Sequence, residues 1–180
     1  YYLKQDYIFL INYCKVLAIA ASKSSSESMM KRWVSLLNET LNSEMDLHRN
    51  FCHDFGISLS NLEKTVADSS TNNYCNFLIN NAHQNSETFI AISLLPCQWG
   101  YQDIAQKFVK NNLKPKSFHK IWIESYSSNE YQDVTEWLKK YVDEIGKNSS
   151  KEEIEKYDEL FQLGIKFEIG FWDSAWNSLK

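Results

Sequence analysis

The stretch Leu3-Lys4-Gln5-Asp6-Tyr7-Ile8-Phe9-Leu10-Ile11-Asn12-Tyr13-Cys14-Lys15-Val16-Leu17-Ala18-Ile19-Ala20-Ala21 decides the fold. Leu3, Tyr7, Leu10, Cys14, Leu17 and Ala21 fall at 4-3-4-3-4 spacing, the rhythm of one helix face rather than of a strand. Asp6 shares that face, three residues after Leu3 and four before Leu10. An acidic group is thus placed in a stripe otherwise suited to burial.

The same rhythm extends outward. The Ser-rich stretch 22–28 ends the first helix, and a second is expected over 27–53, with Trp33, Leu36, Leu37, Leu41, Met45, His48 and Cys52 on one side. Asp54-Phe55-Gly56 reads as a turn, with Gly56 where a helix C-terminus favours glycine. That tripeptide copies the kinase magnesium motif by chance, since nothing else of a kinase is present. Ser69-Ser70-Thr71 is expected to cap a third helix reaching Leu95, which Pro96 then breaks or kinks. A fourth helix is expected over 99–111, a turn with the second Pro over 113–117, and further helices over 118–125, 130–145 and 151–180. Residues 147–150 form a linker, and Ser150 with Glu153 makes a capping box. No segment sustains a period of two, no repeat is visible and no boundary divides the chain. The expected fold is all-α: one up-and-down helical bundle over residues 1–180.

Composition narrows the class. In 180 residues, 43% are hydrophobic and 14% aromatic, while two Pro and five Gly leave long helices uninterrupted. The net charge of −4 comes from mixed charges; no basic stripe points to nucleic acid and no lysine cluster to anionic lipid. Cys14, Cys52, Cys75 and Cys97 are scattered without metal-type or CxxC spacing, so they read as reduced thiols in a reducing compartment. The longest apolar run, 89–97, falls well short of the ~20 residues a spanning helix needs. A soluble, cytoplasmic chain is expected. Tyr1 enters already in helical rhythm, without an initiator Met or a capping residue, so the N-terminus reads as a truncation.

In a helical bundle the informative residues are polar ones on buried faces. Glu168 has Gly164, Ile165, Phe171 and Trp172 as helical neighbours, in a helix apolar on most sides from Leu160 to Trp176. A carboxyl group there must be paired, hydrogen-bonded or protonated. Held protonated, it is suited to general acid catalysis; satisfied by a core Tyr or Trp, or lining a subunit contact, it is structural. Cys97 lies in Leu94-Leu95-Pro96-Cys97-Gln98-Trp99-Gly100-Tyr101. A helix restarting near Trp99 would place the thiol at its N-terminus and favour thiolate. A small buried hydrophobe is the plainer reading of any cysteine, and Cys14, Cys52 and Cys75 fit it well. His48, His53, His83 and His119 are the candidate partners for a nucleophilic thiol, none with a telling neighbourhood. Glu44 and His48, one turn apart, suit a hydrogen bond or a metal, but one such pair is short of a di-iron set, and a structural role is preferred. Phe9, Tyr74, Tyr101, Tyr126 and Phe171 are core by default, and a subset of them suits a stacking slot for a flat heterocycle.

In order along the chain, Gln5-Asp6-Tyr7, Glu44-x-x-x-His48, Tyr74, Leu95-Pro96-Cys97-x-Trp99-x-Tyr101, Trp122-x-x-x-Tyr126 and Glu168-x-x-Phe171-Trp172-x-x-Ala175 resemble the TenA family, also called thiaminase II or aminopyrimidine aminohydrolase. The resemblance implies a heme-oxygenase-like bundle, a homotetramer, and no metal or organic cofactor. It implies deamination of 4-amino-5-aminomethyl-2-methylpyrimidine and, for many members, cleavage of thiamin to hydroxymethylpyrimidine and thiazole. It assigns the nucleophile to Cys97, pyrimidine recognition and support of the thiol to Asp6, and acid–base work to Glu168. Tyr74, Tyr101, Tyr126 and Phe171 are placed around the ring.

Two departures stand out. Phe9 occupies a position where members commonly carry a Tyr, and the family's first helix, expected upstream of Tyr1, is absent from the sequence. A non-catalytic pyrimidine-binding protein of the same fold is therefore a competing expectation. A heme-dependent oxygenase of the same bundle class is a third; it needs a proximal His, and the first helix as it stands has none.

Overall fold

A computed structural model describes residues 1–111 and 117–178. Among the described residues there is no strand, as the periodicity requires. Helices α1 (Tyr2–Ser22), α2 (Glu27–Glu39), α3 (Met45–Asp54), α4 (Leu59–Glu63), α5 (Ser69–Gln84), α6 (Glu87–Lys110), α7 (Ser117–Tyr126), α8 (Asn129–Lys147) and α9 (Lys151–Asn177) follow in order. The turn expected over 113–117 lies almost wholly outside the described residues.

Local chemistry accounts for most boundaries. Ser26 caps α2 by accepting from the Met29 amide at 3.2 Å, and Ser128 caps α8 by accepting from Tyr131 at the same distance. After α3 the Ile57 amide donates to the Cys52 carbonyl and Gly56 to His53, the paired bonds of a Schellman motif. Gly56 takes φ of 71°, which glycine alone adopts without penalty. The Ser150 capping box forms reciprocally: the Ser150 amide donates to Glu153 Oε2 at 2.8 Å and the Glu153 amide to Ser150 Oγ at 3.3 Å.

Four expectations are corrected. The helix expected over 27–53 is interrupted by a π-helical turn, Thr40–Glu44, between α2 and α3. The helix expected from 69 to 95 stops at Gln84, because Asn85 turns extended (φ −116°, ψ 174°) and a new helix begins at Glu87. The α5 cap is Asp68, whose Oδ1 accepts from the Thr71 amide at 2.7 Å, rather than one of the serines that follow. Lastly, α6 runs through Pro96 without a break. Pro96 withdraws one donor, the one that would reach the Ile92 carbonyl, while burial of 90–96 holds the rest of the helix.

The chain groups into two compact units. The first holds Tyr1–Ile90 and the chain from Lys166 on; α1 packs there on α2, α3 and α5 around Val16, Leu17, Ala20, Trp33, Met45, Tyr74 and Leu78. Gln5, itself buried, ties α1 to the segment before α5: its Nε2 donates to the Val66 carbonyl and its Oε1 accepts from the Asp68 amide. The second unit, Ala91–Ile165, has Ile92, Leu94, Leu95, Ala105, Ile123 and Leu138 at its centre. Within it, buried Gln98 on α6 donates to Thr135 Oγ1 on α8 at 3.1 Å.

Candidate active site

In the first unit, α1 brings Asp6 and Phe9, α5 brings Tyr74, and α9 brings Glu168 and Phe171, all buried. The Tyr74 hydroxyl donates to Glu168 Oε1 at 2.7 Å. The surroundings are aromatic. The ring of Phe9 stands 4.9 Å from Tyr74 and 5.9 Å from Phe171, and Phe167 stacks on Tyr74 at 5.6 Å with the planes 4° apart. A hydrogen-bonded carboxyl walled by aromatic faces offers both a proton-exchanging group and stacking surface. The expectation that a core Tyr satisfies Glu168 is met by Tyr74, whose hydroxyl fixes the orientation of the carboxyl.

Asp6 is 4% exposed and faces α3, where His48 Nε2 lies 3.4 Å from its Oδ2. His48 therefore turns to Asp6. Among the described residues no cluster of three His, Cys, Asp or Glu side chains suited to a metal occurs, so the Glu44 and His48 pair is no part of one.

In the second unit, Cys97, Tyr101 and Tyr126 are the predicted site residues. Because α6 is continuous, Cys97 does not sit at a helix N-terminus, and thiolate stabilisation by free amides there is withdrawn. Its exposure sets it apart instead: residues 91–98 are all buried except Cys97, which is half-buried. The other three thiols are buried, and desolvation pushes each up to about 11. Tyr101 follows Cys97 by one turn on α6; its ring lies 4.9 Å from Tyr126 and 5.8 Å from Trp122. Tyr131 meets Tyr126 edge-on at 5.0 Å. Gly164 on α9 approaches α6 so closely that a Cβ there would meet Pro96 Cγ at 2.8 Å.

Sequence reasoning did not pick out Phe167, Tyr131 or the contact of His48 with Asp6. Phe167 and Tyr131 are ordinary aromatic helix positions, and nothing in spacing links residue 48 to residue 6.

The chain is 33% identical over 178 residues to an aminopyrimidine aminohydrolase of Halalkalibacterium halodurans, covering 98% of this chain and 80% of that protein. An aminopyrimidine aminohydrolase of Helicobacter pylori is 31% identical over 179 residues, covering 99% and 82%. Among solved structures, a TenA homologue from P. horikoshii superposes with a TM-score of 0.89 at 26% identity, covering 98% of this chain and 81% of that one. A structure described as a TenA family transcription regulator from Silicibacter gives 0.89 and 26% over 96% and 79%. The sequence model of one family matches residues 1–178, and on that match and these relatives the chain belongs to the TENA/THI-4/PQQC family.

Proposed function

We propose that the protein is a hydrolase of thiamin salvage that deaminates 4-amino-5-aminomethyl-2-methylpyrimidine with Cys97 as nucleophile. The observation that carries the reading is the buried Tyr74–Glu168 hydrogen bond inside an aromatic wall, a setting suited to a flat ring with a protonatable nitrogen. The two relatives named aminopyrimidine aminohydrolase, each matched along most of its length, support the substrate class.

Ring chemistry assigns the roles. Thiolate addition to an aromatic pyrimidine is unfavourable unless a ring nitrogen gains a proton as the carbon–sulfur bond forms; Glu168 supplies that proton. Electron density pushed toward the carbon bearing the aminomethyl group then expels its nitrogen as ammonia. Water adds to the exposed methylene, the Cys97 sulfur leaves, and Glu168 recovers its proton. The sum is substrate plus water giving the hydroxymethyl pyrimidine plus ammonia. Asp6 accepts from the exocyclic 4-amino group and fixes which ring edge meets the sulfur. Phe9, Tyr74, Tyr101, Tyr126 and Phe171 hold the ring plane. Thiamin fits the same scheme with the thiazole as leaving group, and the resemblance extends the proposal to cleavage of thiamin, to a homotetramer and to the cytoplasm. No described helix is long and apolar enough to cross a membrane.

A side-by-side assay of thiamin and the aminomethyl pyrimidine with wild type and Cys97→Ala tests the proposal. Ammonia release that disappears in Cys97→Ala is the expected result; undiminished turnover in that variant would overturn it. Tight pyrimidine binding with no product after long incubation would favour a non-catalytic binder, the reading to which Phe9, lacking the hydroxyl common in the family, lends its support.

A further inference from the structure

Three buried side chains of the first unit stand in line across α1 and α3. Cys52 Sγ lies 3.6 Å from His48 Nδ1, and His48 Nε2 lies 3.4 Å from Asp6 Oδ2. Cys52 is 0% exposed, His48 6% and Asp6 4%. The order thiol, imidazole, carboxylate copies a nucleophilic triad, but its burial rules that role out. Desolvation first, and the Asp6 charge second, hold the Cys52 thiol protonated, up to about 11. A thiol that keeps its proton is a donor.

His48 Nε2 is fully buried and has no hydrogen bond of good alignment. The oxygen that it faces belongs to Asp6. Two arrangements of a neutral imidazole are open. With the proton on Nδ1, the ring donates to sulfur, a weak acceptor, and turns a bare lone pair toward a carboxylate. With the proton on Nε2, sulfur donates to Nδ1 and the ring N–H points at Oδ2, a charge-assisted bond that is the stronger of the two. The second arrangement satisfies the buried nitrogen and the first does not.

We infer that Cys52 fixes the Nε2–H tautomer of His48, and that His48 in turn is the positioning residue for Asp6, engaging Oδ2 so that Oδ1 is presented to the amino group of the pyrimidine. This rests on the proposed part of Asp6 in binding an aminopyrimidine. The 3.4 Å separation shortens to a hydrogen bond when ligand orders the carboxylate, as polar contacts in unliganded sites commonly do. Cys52 thereby acts through a hydrogen bond, with no covalent or redox step.

The test has a spectroscopic arm and a kinetic arm. Nitrogen-15 spectra of histidine-labelled protein, with the His48 signals assigned by their loss in His48→Gln, are expected to show Nε2 protonated and Nδ1 bare. Cys52→Ser, which keeps a donor, retains that pattern; Cys52→Ala, which has none, loses the preference. His48→Leu raises KM for the aminomethyl pyrimidine about tenfold with a smaller effect on kcat, and His48→Gln, which still offers an N–H, recovers most of it. A proton on Nδ1 with Nε2 bare, a doubly protonated ring at neutral pH, or an unchanged KM in His48→Leu overturns the inference. The spectra need no turnover, so the tautomer result stands or falls apart from the Cys97 assay, which alone decides the hydrolase reading.

Discussion

The Tyr74 hydroxyl donates to Glu168 Oε1 at 2.7 Å, joining α5 to α9 across 94 residues of sequence. In the proposed reaction Glu168 carries the proton. Tyr74→Phe keeps the ring and its stacking on Phe167 but removes the donor. Loss of one hydrogen bond to an acidic group is expected to cost about 1–3 kcal/mol. Expressed in the transition state, that loss lowers kcat about tenfold or more with KM little changed. Steady-state kinetics across pH check it, because the acidic limb should move along with kcat if the bond orients the acid. A drop in melting temperature with unaltered kinetics would make the bond purely structural.

Gly164 and Pro96 form a second junction, within the Ala91–Ile165 unit. Pro96 precedes the half-buried thiol, and a proline ring gives way less easily than the end of a flexible side chain. Gly164→Ala places a Cβ 2.8 Å from Pro96 Cγ, so the helix backbone must shift. Overpacking of this kind costs about 1–3 kcal/mol. The expected outcome is a lower denaturation midpoint together with slower alkylation or slower turnover at Cys97. A variant with wild-type stability and rate would show that the junction has slack.

Parts of this arrangement are legible in the sequence and parts are not, for physical reasons. Asp6 and Glu168 stand out because each interrupts an apolar helix face, and burial of a carboxyl is costly enough that evolution seldom leaves it without a partner. The α5–α6 break hides because Asn85-Ser86 carries neither Gly nor Pro, while apolar spacing continues on both sides. The passage of α6 through Pro96 hides for the opposite reason: proline costs about 3 kcal/mol in a helix interior, but burial along the segment outweighs a single site. The π turn at Thr40–Glu44 alters the count by too little to disturb a 3.6-residue pattern. The Cys52–His48–Asp6 line links Asp6 to residues 42 and 46 positions away, and only folding brings α1 against α3.

Glu87 supplies a stability control, since its hydrogen bonds to Ser24, Ser25 and Trp33 involve none of the predicted site residues. Its buried carboxylate accepts from Trp33 Nε1 at 2.6 Å, from the Ser25 amide at 3.1 Å and from Ser24 Oγ at 3.2 Å, pinning the α1–α2 connection to the start of α6. Glu87→Ala strands these donors, at about 1–3 kcal/mol each where burial is complete. A chain of this size loses about 2–4 °C of melting temperature per kcal/mol, so a fall of several degrees is expected in calorimetry. KM for the aminomethyl pyrimidine should remain at its wild-type value. A fall in melting temperature of less than 1 °C would show that water replaces the carboxylate.

Exposure separates the thiols. Cys97 is half-buried, whereas Cys14, Cys52 and Cys75 are buried. Iodoacetamide at pH 8 is therefore expected to modify Cys97 first, with the remaining three reacting only after denaturation. Peptide mapping after partial reaction checks this, and prior saturation with the aminomethyl pyrimidine should protect Cys97 if the ring lies against it. Modification of Cys75 or Cys14 ahead of Cys97 would contradict the burial pattern.

The same three buried thiols set an alkaline limit on stability. Desolvation pushes Cys14, Cys52 and Cys75 from an ordinary 9.0 up to about 11. Below pH 9 the thiols are protonated in both states, and their contribution to stability is intact. Between pH 9 and 11 the unfolded chain loses these protons while the folded chain keeps them, so the folded state binds more protons and stability falls as pH rises. At about 1.4 kcal/mol per pH unit for each group, two units amount to about 3 kcal/mol per thiol, a large share of a total near 5–15. Urea midpoints measured from pH 8 to 11 should decline steeply. In a Cys14→Ala, Cys52→Ala, Cys75→Ala variant the starting midpoint is lower, because three packed sulfurs are gone, but the slope with pH is shallower. Parallel slopes would assign the alkaline loss to tyrosines and lysines instead of the buried thiols.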